Sequence, residues 1–207
     1  MKRFISLLLT PLSIFAAHDQ LIPQNQDVVN NTEILENHYI FDIFPPLYFP
    51  ASSHVIVEVS ILGDSVKLED GSIWNVGRYD SYRLQNWRVN DTVTITQNHS
   101  WFSSYKYRIV REQTGSTIEA NLFLGPIEQG PYTLYIITLD PVQGLIHLMS
   151  GKGELTRWEI SSSDRNLFAE WRFGDAVIIG QNTGWDRTCE SYLINVNENA
   201  GVRAKQY

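Results

Sequence analysis

The sequence predicts an all-β protein made of two tandem copies of a small antiparallel module, each a β-barrel or β-sandwich. Three observations predict it. From His54 onward the dominant apolar period is two, as in VIVEVSI and TVTITQ. The strand-like runs are short and separated by Gly, Asn and Asp turns, Asp70-Gly71 and Thr114-Gly115-Ser116 among them. All six Trp fall into two sets of three, each pair separated by 84 residues.

The elements follow in order. Met1, Lys2 and Arg3 form a positive n-region, Phe4–Phe15 is apolar, and Ala16-Ala17 offers small residues for cleavage. Residues 1–17 therefore read as a secretory signal peptide. Phe15 stands three residues before the cut, where a small residue is preferred, so an uncleaved anchor is the alternative. Removing 1–17 leaves 14 basic and 23 acidic residues, a net charge of -9. That charge argues against a nucleic-acid partner. No later run approaches the roughly 20 apolar residues a spanning helix needs, so no transmembrane span is expected in the mature chain. Cys189 is the single cysteine and permits no intramolecular disulfide. Hydrophobic residues at 43% and charged residues at 19% exclude a disordered chain, a collagen and a coiled coil.

Residues 18–52 are a polar leader followed by the aromatic, proline-punctuated run YIFDIFPPLYFP. The prolines forbid a central strand or a helix interior there. The first module is expected over 53–130. Val55, Val57, Val59 and Ile61 alternate onto one face, Asp70-Gly71 turns VKL into IWNV, and TVTITQ, YKYRIV and TIEANLFL continue. The second is expected over 131–207, with YTLYIIT, LIHLM, LTRWEI, AVIIG, SYLINV and GVRAK as strands. Asp80 and Asp164 are placed to cap one short helical turn each before a Trp.

Trp74, Trp87 and Trp101 recur as Trp158, Trp171 and Trp185, and the offset yields ten identities over positions 74–101. The shared string is W-R-[VF]-[NG]-D-x-V-x-I-x-Q-N, ending in a further Trp. The first Trp belongs on a strand, [NG]-D makes a turn, and V-x-I opens the next strand. Arg88 with Asp91, and Arg172 with Asp175, are expected to pair across that turn. All six Trp are expected to be structural anchors of the repeat, because burying an indole is among the largest single apolar contributions. Upstream, the EDGS turn is replaced by SGKGE, and the hairpins are expected to have drifted.

The strings LEDGSIWNV and WRVNDTV resemble uncharacterised exported proteins of the chlamydial type, over about residues 66–96 and 150–180. The resemblance implies bacterial export and no particular chemistry.

Catalytic motifs are absent from the sequence: it has no G-x-S-x-G, and its five His are scattered singly, without H-x-H or H-E-x-x-H spacing. No catalytic residue, metal or cofactor is assigned. Asp91 and Asp175 lack the D-[ST]-G context of an aspartic-protease dyad. The candidate binding residues are Arg78, Tyr79, Tyr82 and Arg83, a stacking platform whose counterparts in the second copy are Ser162, Ser163, Asn166 and Leu167. A position not retained in both copies is free of the common packing problem. The expectation is an exported, periplasmic or extracellular, non-enzymatic binding or structural protein of a bacterial envelope, with a protein or glycan partner. An envelope hydrolase and a carbohydrate-binding module are the alternatives.

Overall fold

The computed structural model describes residues 52–185 and 188–207. The expected signal peptide and the leader up to residue 51 lie outside the described residues. The described residues hold twelve strands: β1 (Ser53–Val59), β2 (Ser65–Leu68), β3 (Ile73–Val76), β4 (Thr92–Gln97), β5 (Tyr107–Arg111), β6 (Thr117–Leu124), β7 (Leu134–Asp140), β8 (Leu145–Ser150), β9 (Leu155–Ile160), β10 (Ala176–Gln181), β11 (Ser191–Asn195) and β12 (Ala200–Gln206). One-turn α-helices interrupt them, α1 (Ser81–Leu84) after β3 and α2 (Arg165–Phe168) after β9, the latter preceded by a 3-10 turn at Ser162–Asp164.

The protein is nearly all-β. Strands β1–β6 close into a six-stranded antiparallel barrel in the order β1-β2-β3-β6-β5-β4, with β4 returning to β1 through His54 opposite Val93. The other strands pair as β7-β8-β9-β12-β11-β10, and β10 meets β7 through Val177 opposite Leu134. Trp74 lies on β3 and Trp158 on β9, each completely buried. Each indole N–H donates to a hydroxyl two residues back, Ser72 Oγ at 3.0 Å and Thr156 Oγ1 at 2.9 Å. Tyr107 packs edge-on to Trp74 with ring centroids 5.4 Å apart. Each helical turn buries its last residue, Leu84 or Phe168, and the Trp three positions further on, Trp87 or Trp171, is buried as well.

Three local expectations change. Val55, Val57, Val59 and Ile61 do not share a buried face: a bulge between Ile56 and Glu58 shifts the alternation, Ile56 enters the core and Ile61 is exposed beyond the strand. A bulge at the same place in the second set falls between Ile136 and Thr138. The hairpin before Trp158 has not drifted in its turn. Gly71 and Gly153 both take positive φ (86° and 85°), and each donates its N–H to the residue three back, Leu68 or Ser150. The difference is length. Val66 faces Trp74 and Ile146 faces Trp158, so the β8–β9 hairpin is longer by two residues on each arm. Finally, Asp80 and Asp164 precede helical turns but do not cap them. Their carboxylates reach across to accept backbone N–H groups of Glu119 and Arg203, both at 2.8 Å.

The two strand sets share one wall. Ile178, Tyr192 and Ile194 of β10 and β11 belong to the apolar cluster that contains Trp74 and Trp87, whereas Val177, Ile179 and Leu193 of the same strands face the cluster around Trp158. Strands buried on both faces read as continuous apolar runs, which is why AVII and YLI lack alternation. β4 and β10 run parallel, with Gln181 opposite Thr96. Gly180 makes that approach possible: a Cβ there would stand 2.5 Å from the Ile95 carbonyl oxygen. Gly180→Ala is therefore expected to cost about 1–3 kcal/mol, read as a lowered urea midpoint.

His54 ties the wall. The buried ring lies 2.8 Å from Glu69 Oε1 through Nδ1 and 2.8 Å from the Ile179 carbonyl through Nε2. Burial pulls its pKa down, but the Glu69 and Asp70 carboxylates outweigh that and raise it to about 9. The protonated ring donates from both nitrogens, to the carboxylate on one side and to β10 on the other. A histidine whose folded pKa exceeds its unfolded value of 6.5 contributes stability that is complete below pH 6.5 and lost as pH rises through about 9. Asp70, raised to about 6 by burial and the Glu69 charge, is mostly ionised by pH 7 and adds little to the change above it. Unfolding free energy is expected to fall by on the order of 3 kcal/mol between pH 7 and 10, and His54→Gln should flatten that slope in urea titrations.

Candidate functional site

Because β4 and β10 are parallel neighbours, the loops that follow them leave the same end of the wall. One asparagine builds each loop. Asn98 donates its N–H to the Lys106 carbonyl (2.8 Å) and its amide to the Tyr105 carbonyl (2.9 Å), while its Oδ1 accepts the Ser100 N–H (3.1 Å). Asn182 makes the corresponding bonds to Glu190 (2.9 Å), Cys189 (2.7 Å) and Gly184 (2.9 Å). All these positions are 84 residues apart. Each loop holds a Trp three residues after its asparagine, and each indole is in solvent: Trp101 is 97% and Trp185 103% exposed. Phe102, beside Trp101, is equally open.

The structure thus corrects the expectation for the third Trp pair. Trp74, Trp158, Trp87 and Trp171 are core residues, whereas Trp101 and Trp185 lie in solvent. The local strings NHSWFSS and NTGW hold the clue, since neither Trp has an apolar partner two residues away on a strand.

Two hollows adjoin the loops and share Gln97 and His99. One, about 480 Å³, is lined by Thr94, Thr96, Gln97, His99, Gln181 and Thr183, together with side chains of β5 and β6. Gln97 and His99 also border a second hollow of about 340 Å³ that reaches Asn182, Trp185, Tyr192 and Arg203. A Cβ on Gly184 would lie 3.9 Å from the His99 ring, so the loops meet there. Asp164 forms the floor with Arg203, accepting its backbone N–H, Nε (2.9 Å) and Nη2 (2.7 Å). Burial alone would raise the Asp164 pKa, but the Arg203 bonds and charge prevail and hold it below the usual carboxylate range. Tyr192 is pushed up to about 12 by burial and the Asp164 charge. The floor therefore presents a fixed carboxylate–guanidinium pair and a neutral phenol.

The sequence-predicted platform lies elsewhere. Arg78 and Tyr79 are exposed on the turn leading into α1, and Tyr82 and Arg83 are exposed within α1. The Arg83 guanidinium bonds to Asp80 and sits 5.4 Å from the Tyr82 ring centroid. None of the four lines either hollow.

Asp91 and Asp175 are turn residues, but not through the expected arginine side chains. Their Oδ2 atoms accept the backbone N–H groups of Arg88 (2.7 Å) and Arg172 (2.9 Å). The second partner of each comes from the neighbouring strand, Arg111 Nη2 for Asp91 (2.9 Å) and Asn195 Nδ2 for Asp175 (2.8 Å). One bond per carboxylate satisfies a loop N–H left by the turn, which an exposed side-chain pair could not do, and the second ties the turn to the neighbouring strand. Cys189 is buried, with Thr188 Oγ1 3.9 Å from its sulfur. Among the described residues no group of three or more His, Cys, Asp or Glu is placed to hold a metal ion, and no helix is long and apolar enough to cross a membrane.

The chain matches no family model, no curated protein and no solved structure.

Trp87→Ala and Trp171→Ala are each expected to cost about 3–5 kcal/mol, whereas Tyr82→Ala, at a 60% exposed position, should stay within about 0.5 kcal/mol. Urea midpoints of the three variants separate core from surface.

Proposed function

We propose that this protein is an exported, non-enzymatic binding protein of a bacterial envelope, built from two tandem copies of one six-stranded barrel, and that it binds through the paired loops carrying Trp101 and Trp185. The single observation that carries the reading is that both indoles stand at matching positions of the repeat and yet lie in solvent. Packing accounts for keeping Trp74 with Trp158 and Trp87 with Trp171, since each copy must fill the same core. It gives no reason to keep an exposed indole twice. A partner that covers both does.

The duplication is supported by more than the Trp spacing. Pairing order, the bulge at Ile56 and Ile136, the indole-to-hydroxyl bonds, the aspartate-fixed turns and the asparagine-built loops all recur between the two strand sets. Export rests on the Met1–Ala17 pattern, the single cysteine and the resemblance to exported chlamydial-type proteins. The groups in the hollows support binding: Asp164 is committed to Arg203, and Tyr192 stays neutral at physiological pH.

The mature chain, residues 18–207, immobilised and exposed to envelope extract, is expected to retain a component that the Trp101→Ala/Trp185→Ala double variant does not. Thermal midpoints of the two proteins should agree, since neither indole is packed. Equal retention by the double variant overturns the loop assignment, and an N-terminus beginning at Met1 on the exported protein overturns the cleavage.

A further inference from the structure

The described chain begins beside the larger hollow. Strand β1 runs antiparallel to β4, with His54 opposite Val93 and Ser53 opposite Thr94. Continued backwards, it would set residue 51 opposite Thr96. That edge of Thr96 belongs to Gln181 of β10, and Arg108 of β5 holds the other. The chain before Ser53 therefore has to leave the sheet. It cannot leave inward, because Val93 and Ile95 belong to the filled core. It leaves over the other face of β4, to which alternation turns Thr94 and Thr96, beside Arg108 and Val110 of β5. Those four side chains line the hollow of about 480 Å³. Both threonines are buried, so the hollow has walls as well as a floor. Ser53 is bound on that side: its Oγ donates to Glu112 Oε1 at 2.6 Å, the oxygen that also accepts from Thr94 Oγ1 at 2.7 Å.

Direction and length select the occupant. Traced backwards from Ser53, the chain heads the way β4 runs, and Thr94, Thr96, Gln97 and His99 line the hollow along that course. From Thr94 to Gln97 is roughly 10 Å, which about three extended residues cover. Residues 44–50, FPPLYFP, then add about 20 Å at about 3.1 Å each. Three prolines keep this run out of a helix interior or a central strand, so it has no sheet of its own to join. Proline has no N–H, so the run presents carbonyl acceptors in excess. In the walls, Gln97, Gln181 and Thr183 carry donors and make no side-chain hydrogen bond within the described residues. Val110 and the threonine methyls offer apolar contact to Leu47 and the rings of Phe44, Tyr48 and Phe49, which in water would be a sticking surface. A segment tethered at Ser53 stands at an effective concentration on the order of millimolar, which a separate peptide would have to exceed. We propose that residues 44–50 run over the outer face of β4 and β5 and dock in this hollow, as a strap supplied by the chain itself. The strap is separate from the paired-loop reading, and neither depends on the other.

The test uses the mature chain, residues 18–207, with Cys189→Ala removing the native thiol. Gln181→Cys places a thiol in the hollow, and Asn75→Cys places one on β3, which stands opposite β4 across the barrel. Labelling by a water-soluble disulfide reagent is timed with the native segment and with Phe44→Ser/Tyr48→Ser/Phe49→Ser. The triple change is expected to speed labelling at residue 181 at least about tenfold, the ratio for a strap docked about nine-tenths of the time, and to leave residue 75 unchanged. With the rest of the segment native, Phe49→Cys should form an intrachain disulfide with Gln181→Cys under mild oxidation and none with Asn75→Cys. Equal labelling rates at residue 181 overturn the docking. A disulfide that joins two chains overturns it and assigns the segment to a second copy. Sedimentation of the parent, but not of the triple variant, with phosphatidylcholine vesicles overturns it in favour of a lipid surface. If residue 75 also labels faster, the triple change has loosened the barrel and the disulfide decides: its presence supports the strap and its absence overturns it.

Discussion

The parallel contact between β4 and β10 is the constraint on which the rest of the structure depends. It requires a residue without a side chain at Gly180, where the Ile95 carbonyl occupies the space a Cβ would need. It forces β10 and β11 to be apolar on both faces, so Ile178 and Ile194 serve one core while Ile179 and Leu193 serve the other. It is also what brings two loops, distant in sequence, to one end of the molecule. His54 adds a polar tie at the same seam, bonded both to Glu69 and to the backbone of β10.

Much of the fold was legible in the sequence because its rules are local. Period-two alternation located the strands, and Asp70-Gly71 and Gly115 marked turns whose positive φ only glycine adopts without strain. What escaped was non-local. The bulge at Ile56 leaves no compositional trace and inverts the face of everything after it. Asp80 and Asp164 look like helix caps in the chain, yet their bonds run to residues 39 positions away. Likewise, nothing local reveals that Asp91 would find Arg111 and Asp175 would find Asn195.

The candidate site was half legible. The 84-residue spacing singled out Trp101 and Trp185, but the assumption that repetition means burial put them in the core. Repetition reports a shared constraint, and packing is only one kind. The two Trp pairs embedded in alternating or helical apolar context are buried; the pair set among Asn, Ser, Thr and Gly is not. The hollows that adjoin the loops were invisible, because polar strand residues look the same in sequence whether they edge a cleft or open water.

The shared wall also has a consequence in time. A chain emerging from a ribosome delivers β1–β6 first, and β4 can close onto β1 before β10 exists. Until β10 and β11 arrive, the N-terminal barrel lacks Ile178, Tyr192 and Ile194 from its own apolar cluster and shows water a bare patch where they will sit. The stretch of chain between those events is when this protein is most vulnerable to sticking to itself.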